Sequence, residues 1–168
     1  MNMPVAYIAL GSNVGDSPSI LRRAMDQLEK LSGKPLLRSS LWQTTPVDCP
    51  AGSPTFVNAV VALTPLPEEN SGTLLTKMLA MEKEFGRLPK KIINEPRRLD
   101  LDLIAYGDEI SARPELVLPH PRAHERRFVL QPLNEIAPNL ILPGHRRTVA
   151  QLRAGLVSKE ITVRLNPT

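Results

Sequence analysis

Cysteine, aromatic residues and long apolar runs are all scarce in this chain. Cys49 is the only cysteine. An intrachain disulfide is therefore impossible, in keeping with a reducing compartment, and no histidine is spaced to suggest a nucleophilic pair with it. Phe, Trp and Tyr together make up 4% of the residues, too few for the stacking platforms that hold single-stranded nucleic acid. No apolar run reaches membrane length. The opening Met1-Asn2-Met3-Pro4 lacks a basic stretch followed by an apolar one, so no secretory leader is expected. Neither sign of charge dominates: 21 basic against 17 acidic residues give +4 and a pI near 9.5. That balance favours an anionic ligand without requiring nucleic acid. Gly11-Ser12-Asn13-Val14-Gly15-Asp16-Ser17 lacks both the lysine of a Walker A loop and the third glycine of a dinucleotide fingerprint. Three histidines without His-x-His or Cys-x-x-Cys spacing give no zinc site. The expectation is a cytoplasmic, monomeric protein with one domain over residues 1–168 and neither a membrane nor a nucleic-acid partner.

The chain does have apolar content of 42% over 168 residues, enough for one substantial core. Val5–Leu10 is a short apolar run ending in a turn, which predicts a buried strand. Ile20–Leu31 carries Leu21, Ala24, Leu28 and Leu31 at helical spacing, with Asp16 or Ser17 as cap and Gly33 as stop. Leu36–Thr44 and Phe56–Leu63 read as strands around a proline-rich loop. A long helix over Ser71–Phe85 ends at Gly86, and the basic loop Arg87–Pro96 leads into another strand. This order, β-α-β-β-α-β, predicts an α+β, ferredoxin-like fold: an antiparallel sheet with helices packed on it. The tail adds a helix near Glu125–Ile136 and a weaker C-terminal element.

The most telling segment is Leu99-Asp100-Leu101-Asp102-Leu103. Its period of two sends the leucines to the core and both carboxylates to the other face, their Cα atoms about 6–7 Å apart. Like charges that close repel unless a cation lies between them. Mg²⁺ suits such a pair, because it takes one or two carboxylates and completes its shell with water and phosphate oxygens. The segment alone leaves open a solvated strand face with Arg97 and Arg98 as surface ion-pair partners. The loop with Arg87, Lys90 and Lys91 reads either as a lid over a charged ligand or as a plain connection. Arg122, Arg126 and Arg127 are further basic candidates for phosphate. His120, in Leu118-Pro119-His120-Pro121-Arg122, sits in a rigid loop.

Five motifs occur in a fixed order. They are Ala9-Leu10-Gly11-Ser12-Asn13, Phe56-Val57-Asn58-Ala59, Glu82 with Phe85-Gly86-Arg87, Pro96-Arg97-Arg98-Leu99-Asp100-Leu101-Asp102, and Pro119-His120-Pro121-Arg122. Together they closely resemble the 6-hydroxymethyl-7,8-dihydropterin pyrophosphokinases of folate biosynthesis, from about Val5 to Leu142. The resemblance implies a ferredoxin-like transferase that moves pyrophosphate from ATP to the pterin hydroxymethyl group and leaves AMP. By the same resemblance Asp100 and Asp102 hold two Mg²⁺ ions, and Arg87 and Arg97 act on the phosphates. Glu82, Arg87, Arg97, His120 and Arg126 would bind ATP. Phe56 and Phe128 would sandwich the pterin ring, with Asn58, Thr44, Val47 and Asp100 completing its pocket.

The chain departs from the family at Ile93-Asn94-Glu95-Pro96-Arg97, where an Arg-Trp-Gly-Pro-Arg run is usual, at Pro89, where many relatives have arginine, and at Thr44-Thr45-Pro46. A lid without tryptophan would close less firmly or rely on Lys90 and Lys91. Two other readings remain. One is an RNA-binding ferredoxin-like module, which the lack of strand aromatics disfavours. The other is a relative that binds pterin without turnover, which the retained Asp100, Asp102, Arg87, Arg97 and His120 disfavour.

Overall fold

The computed structural model describes residues 3–45, 55–86 and 99–165. The proline-rich loop, with Val47 and Cys49, and the basic loop, with Arg87, Lys90, Lys91 and Arg97, lie outside the described residues. Strand β1 (Ala6–Ser12) is followed by α1 (Ser17–Glu29), β2 (Leu37–Arg38), β3 (Trp42–Thr45), β4 (Phe56–Leu63), α2 (Ser71–Glu84) and β5 (Asp100–Tyr106). A short hairpin, β6 (Ser111–Arg113) with β7 (Leu116–Leu118), leads to α3 (Arg127–Ile136), α4 (Val149–Gly155) and β8 (Ile161–Arg164). The strands lie in the order β5-β1-β4-β3-β8, each antiparallel to its neighbours. The β-α-β-β-α-β core is thus the expected one, and β8 of the tail adds a new edge strand beside β3.

Local chemistry accounts for most boundaries. Asp16 caps α1 by accepting from the Ser19 N–H, and the helix stops at Glu29, four residues before Gly33. Gly33 instead donates to the Thr64 carbonyl. Asn70 and Thr73 form a reciprocal capping box on α2. The stretch read as one strand over Leu36–Thr44 is two. Ser39 turns inward between them, donating its N–H to the Val60 carbonyl and accepting the Val60 N–H on its hydroxyl, so β2 and β3 both pair β4 at an interruption.

The sheet is covered on both faces. Helices α1 and α2 seal one, burying Leu21, Leu28, Leu74 and Met78 against Ile8, Leu10, Leu101 and Leu103. Helices α3 and α4 seal part of the other, where Val129, Leu130 and Leu133 meet Val60, Ile104 and Ala105. Strand β5 serves both layers through a bulge: Ile8 pairs with Leu103 and Tyr7 with Ala105, leaving Ile104 as the extra residue. The Ile104 carbonyl, turned out of the ladder, accepts the His120 N–H at 2.8 Å and pins the loop after β7 to the sheet.

Two interactions seat α3. Burial of its apolar side contributes more, since removing a buried leucine costs about 2–5 kcal/mol. Glu135 orients the helix, accepting from the Ser40 N–H at 2.9 Å, from the Ser40 hydroxyl and from Trp42 Nε1 at 3.1 Å. Glu135 is exposed, so water replaces part of that bonding and its net worth is about 1 kcal/mol. Leu130→Ala should therefore lower the melting temperature by roughly 4–20 °C, and Glu135→Ala by only about 2–4 °C. Thermal melts of both variants check the ranking; an equal or larger loss from Glu135→Ala would overturn it.

Candidate active site

Helix α3 starts at Arg127 and leaves a strip of the second sheet face uncovered. Strand register brings a specific set of side chains onto that strip. Asp100 pairs with Gly11, Gly11 with Asn58 and Asn58 with Trp42, so all four share one face. Phe56 pairs with Thr44 in the next row, and Ala9 lies between Asp102 and Val60. The result is a cleft of about 310 Å³. Asp100, Asp102, Ala9, Leu10, Gly11, Asn58, Phe56 and Thr44 line its floor, with Arg126 and Phe128 at one wall and Glu160 at the far end.

Its polar atoms are poised for a ligand. Thr44 Oγ1 and Asn58 Oδ1 are buried and have no hydrogen-bond partner among the described residues. A buried acceptor left unpaired costs about 1–3 kcal/mol, so a bound molecule with N–H groups would relieve both. The Asn58 amide lies tight over the β1 backbone. A Cβ on Gly11 would come within 2.9 Å of Asn58 Nδ2, and glycine there lets the amide approach the strand. Phe56 is 39% exposed, an apolar ring facing the open cleft. Phe128 packs its ring on the second core, with the Arg126 guanidinium 5.5 Å from its centroid.

The aspartates behave as the alternation predicted. Leu99, Leu101 and Leu103 are buried in the first core, while Asp102 is exposed and Asp100 half-buried on the cleft side. Glu82 takes a different position: it is buried on α2, behind the aspartate strand, and its Oε2 accepts the Leu101 N–H at 2.9 Å. It braces the strand between the two aspartates and is not part of the cleft lining. His120 also stands beside the lining. Burial lowers its pKa below the ordinary imidazole value, Asp102 pulls it back up, and Arg126 and Arg122 add to the lowering. Its Nδ1 accepts the Arg122 N–H at 3.2 Å, which assigns the proton of the neutral ring to Nε2 as a donor.

Thr44, Phe56, Asn58, Asp100, Asp102, Arg126 and Phe128, expected on sequence grounds, therefore lie around one cleft. Arg87, Arg97 and Val47 fall outside the described residues. Glu160 was not foreseen. It lies in a tail with no readable periodicity, and only the pairing of β8 with β3 brings it to the site. Gly11 belongs to one of the five motifs, but its closeness to Asn58 is a tertiary fact that no local pattern carries.

The two like charges on one face at Asp100 and Asp102 could hold a hard cation between them. No group of three or more His, Cys, Asp or Glu suited to a metal occurs among the described residues. A pair of carboxylates fits Mg²⁺ nonetheless, because that ion keeps waters and takes further ligands from substrate phosphates.

Residues 7–138 match the profile of the 7,8-dihydro-6-hydroxymethylpterin-pyrophosphokinase family. A 2-amino-4-hydroxy-6-hydroxymethyldihydropteridine pyrophosphokinase of Haemophilus influenzae is 38% identical over 143 residues, covering 84% of this chain and 87% of that one. Its counterpart in Pseudomonas aeruginosa is 37% identical over 151 residues, covering 88% and 90%. Among solved structures, an HPPK-DHPS crystal structure with substrates superposes with a TM-score of 0.69 at 13% identity, a likeness of fold. The match takes in 92% of this chain and 43% of that longer one. The chain belongs to the 7,8-dihydro-6-hydroxymethylpterin-pyrophosphokinase family.

Proposed function

We propose that this protein transfers pyrophosphate from ATP to the hydroxymethyl group of 6-hydroxymethyl-7,8-dihydropterin, yielding AMP and the pterin diphosphate in folate biosynthesis. The observation that carries the reading is the cleft itself. Two phenylalanines and two unpaired buried acceptors stand beside a same-face aspartate pair. A flat heterocycle with N–H groups on its edge fits the first part, and a metal-bound triphosphate fits the second. An RNA-binding sheet would need its face open, whereas here α3 and α4 cover much of it.

Each residue has a distinct task. Phe56 and Phe128 hold the ring between them, and Asn58 and Thr44 accept from its edge, fixing the hydroxymethyl group toward β5. Asp100 and Asp102 would hold Mg²⁺, two ions by family resemblance. When bound, the metal neutralises triphosphate charge and polarises the transferring group. Arg126 and the Nε2–H of His120 provide donors for the nucleotide. Arg87 and Arg97 are assigned to phosphate by their matching motifs. The hydroxyl oxygen bonds to the β-phosphorus as the α,β bridge breaks, its oxygen and electron pair leave with AMP, and the hydroxyl proton passes to water. Catalysis on this reading is chiefly positioning and charge stabilisation. The setting proposed is a monomer in the cytoplasm; no helix among the described residues is long and apolar enough to cross a membrane.

AMP release from ATP that depends on added hydroxymethyldihydropterin is the direct assay, and its absence would refute the reading. Asp102→Ala should lower kcat at least about 100-fold with little change in melting temperature, because the residue is exposed and serves no core purpose. Near-normal turnover at ordinary Mg²⁺ would remove the metal assignment. Asn58→Ala should weaken binding of a pterin analogue about 10- to 100-fold by calorimetry, through loss of a buried hydrogen-bonding group. Gly11→Ala removes no cleft side chain yet should weaken binding about 10-fold, because its methyl displaces the Asn58 amide. Unchanged affinity in both variants would show that the ring lies elsewhere.

A further inference from the structure

We infer that Glu160 determines specificity for the ring: its carboxylate accepts from the 2-amino group and neighbouring N–H of the pterin's pyrimidine edge. The inference rests on the pterin reading above and names the residue that reads the end of the ring farthest from the reacting hydroxyl.

Strand order and register lead to it. Thr44 pairs with Thr162 of β8 and Thr45 with Ile161, so Thr162 shares the face of Thr44 and Phe56. Glu160 immediately precedes β8, two residues before Thr162. It lines the same cleft as Thr44, Phe56 and Asn58.

The cleft therefore has an axis. The metal-binding aspartates stand at the β5 end, the phenylalanine of the floor is on central β4, and Glu160 is at the β8 end. Neighbouring strands are about 4.8 Å apart, which sets β8 about 10 Å from β4. A ring lying over β4 with its hydroxymethyl arm toward β5 must point its opposite end at β3 and β8. On a pterin that end is the amidine-like run of the 2-amino group and ring N–H, a donor edge that a carboxylate can bridge with two oxygens.

The local structure suits the role. Glu160 is half-buried. The Ser158 hydroxyl steadies its backbone by accepting the Glu160 N–H at 3.1 Å, and lies 3.4 Å from Oε1 as a weak donor. Asp100 and Asp102 share the sign of Glu160 but sit four strands away, where phosphate and metal are expected. Carboxylates at the two ends thus read two different chemistries.

The test compares 6-hydroxymethylpterin with its 2-oxo analogue, 6-hydroxymethyllumazine, as ligands of the wild type, Glu160→Gln and Glu160→Ala. Turnover of the dihydropterin is measured alongside. Both variants should raise the KM for the dihydropterin about 10-fold or more, with kcat within twofold and nucleotide affinity unchanged. The preference of the wild type for the 2-amino ligand should fall by the same factor. A merely structural role for Glu160 would weaken both ligands equally and leave that preference intact, which overturns the inference. Wild-type turnover with unchanged KM and preference in both variants also overturns it, and leaves the pyrophosphokinase reading standing. A wild type that neither binds the pterin nor releases AMP brings down both.

Discussion

The seating of α3 on the second face of the sheet makes a binding cleft out of what would otherwise be a flat surface. Leu130 and Leu133 are fully buried there against Val60 and Ile104, and this apolar contact sets the height of the helix over the strands. Because α3 begins only at Arg127, the strip beneath Phe128 stays open. Phe128 then reaches the cleft from the first turn of α3, while Phe56 comes from the first residue of β4. The spacing of the two rings is thus a packing distance of the core. A change deep in that core would be felt as a change in ligand affinity, since close-packed interiors transmit small shifts.

The bulge at Ile104 has a similar reach. It lets one strand supply leucines to the first core and, two residues beyond the last of them, Ala105 to the second. The carbonyl it frees holds the His120 N–H, and His120 in turn accepts from Arg122. An irregularity of one residue in β5 thereby anchors the loop that carries the imidazole beside Asp102. Glu82 holds the same strand from the other side through the Leu101 N–H. Between them these contacts fix where the aspartates project, which a site built on charge placement requires.

Much of this was legible in the sequence because it is periodic or locally punctuated. The Leu–Asp alternation placed both carboxylates and three core leucines, and Asp16 and the glycines marked helix ends to within a few residues. The family resemblance, carried by the five motifs, named seven of the residues now found around one cleft. What failed to show was what depends on partners distant in sequence. Ser39 interrupts a strand only because Val60 offers it both backbone groups. The β6–β7 hairpin and β8 are short and carry no strong alternation, so their pairing is decided by the edges they meet. Glu160 follows from β8 and shared its obscurity. The tail was the least readable part of the chain, yet it closes one end of the site.

Charge is distributed to the same purpose. Residues 87–98 contain Arg87, Lys90, Lys91, Arg97 and Arg98 against a single acid, Glu95. That segment alone carries a net +4, equal to the formal charge of the whole chain, so the remaining residues balance to zero. The mild basicity of the protein is therefore the property of one stretch, the one that leads directly into the aspartate strand. Cations of that kind favour phosphate oxygens, and paired carboxylates such as Asp100 and Asp102 favour metal ions. A triphosphate carrying a divalent ion satisfies both at once, whereas either alone would leave one set of charges opposed. Lys90 and Lys91, flexible point charges, suit a diffuse anion, and the forked guanidinium groups of Arg87 and Arg97 suit a fixed one. On the proposed reading, in which Arg87 and Arg97 meet phosphate, a segment without the family's usual tryptophan would hold its ligand more by charge than by apolar packing. It should accordingly be more sensitive to salt than a lid closed by a buried ring, because screened charges lose strength with ionic strength and burial does not.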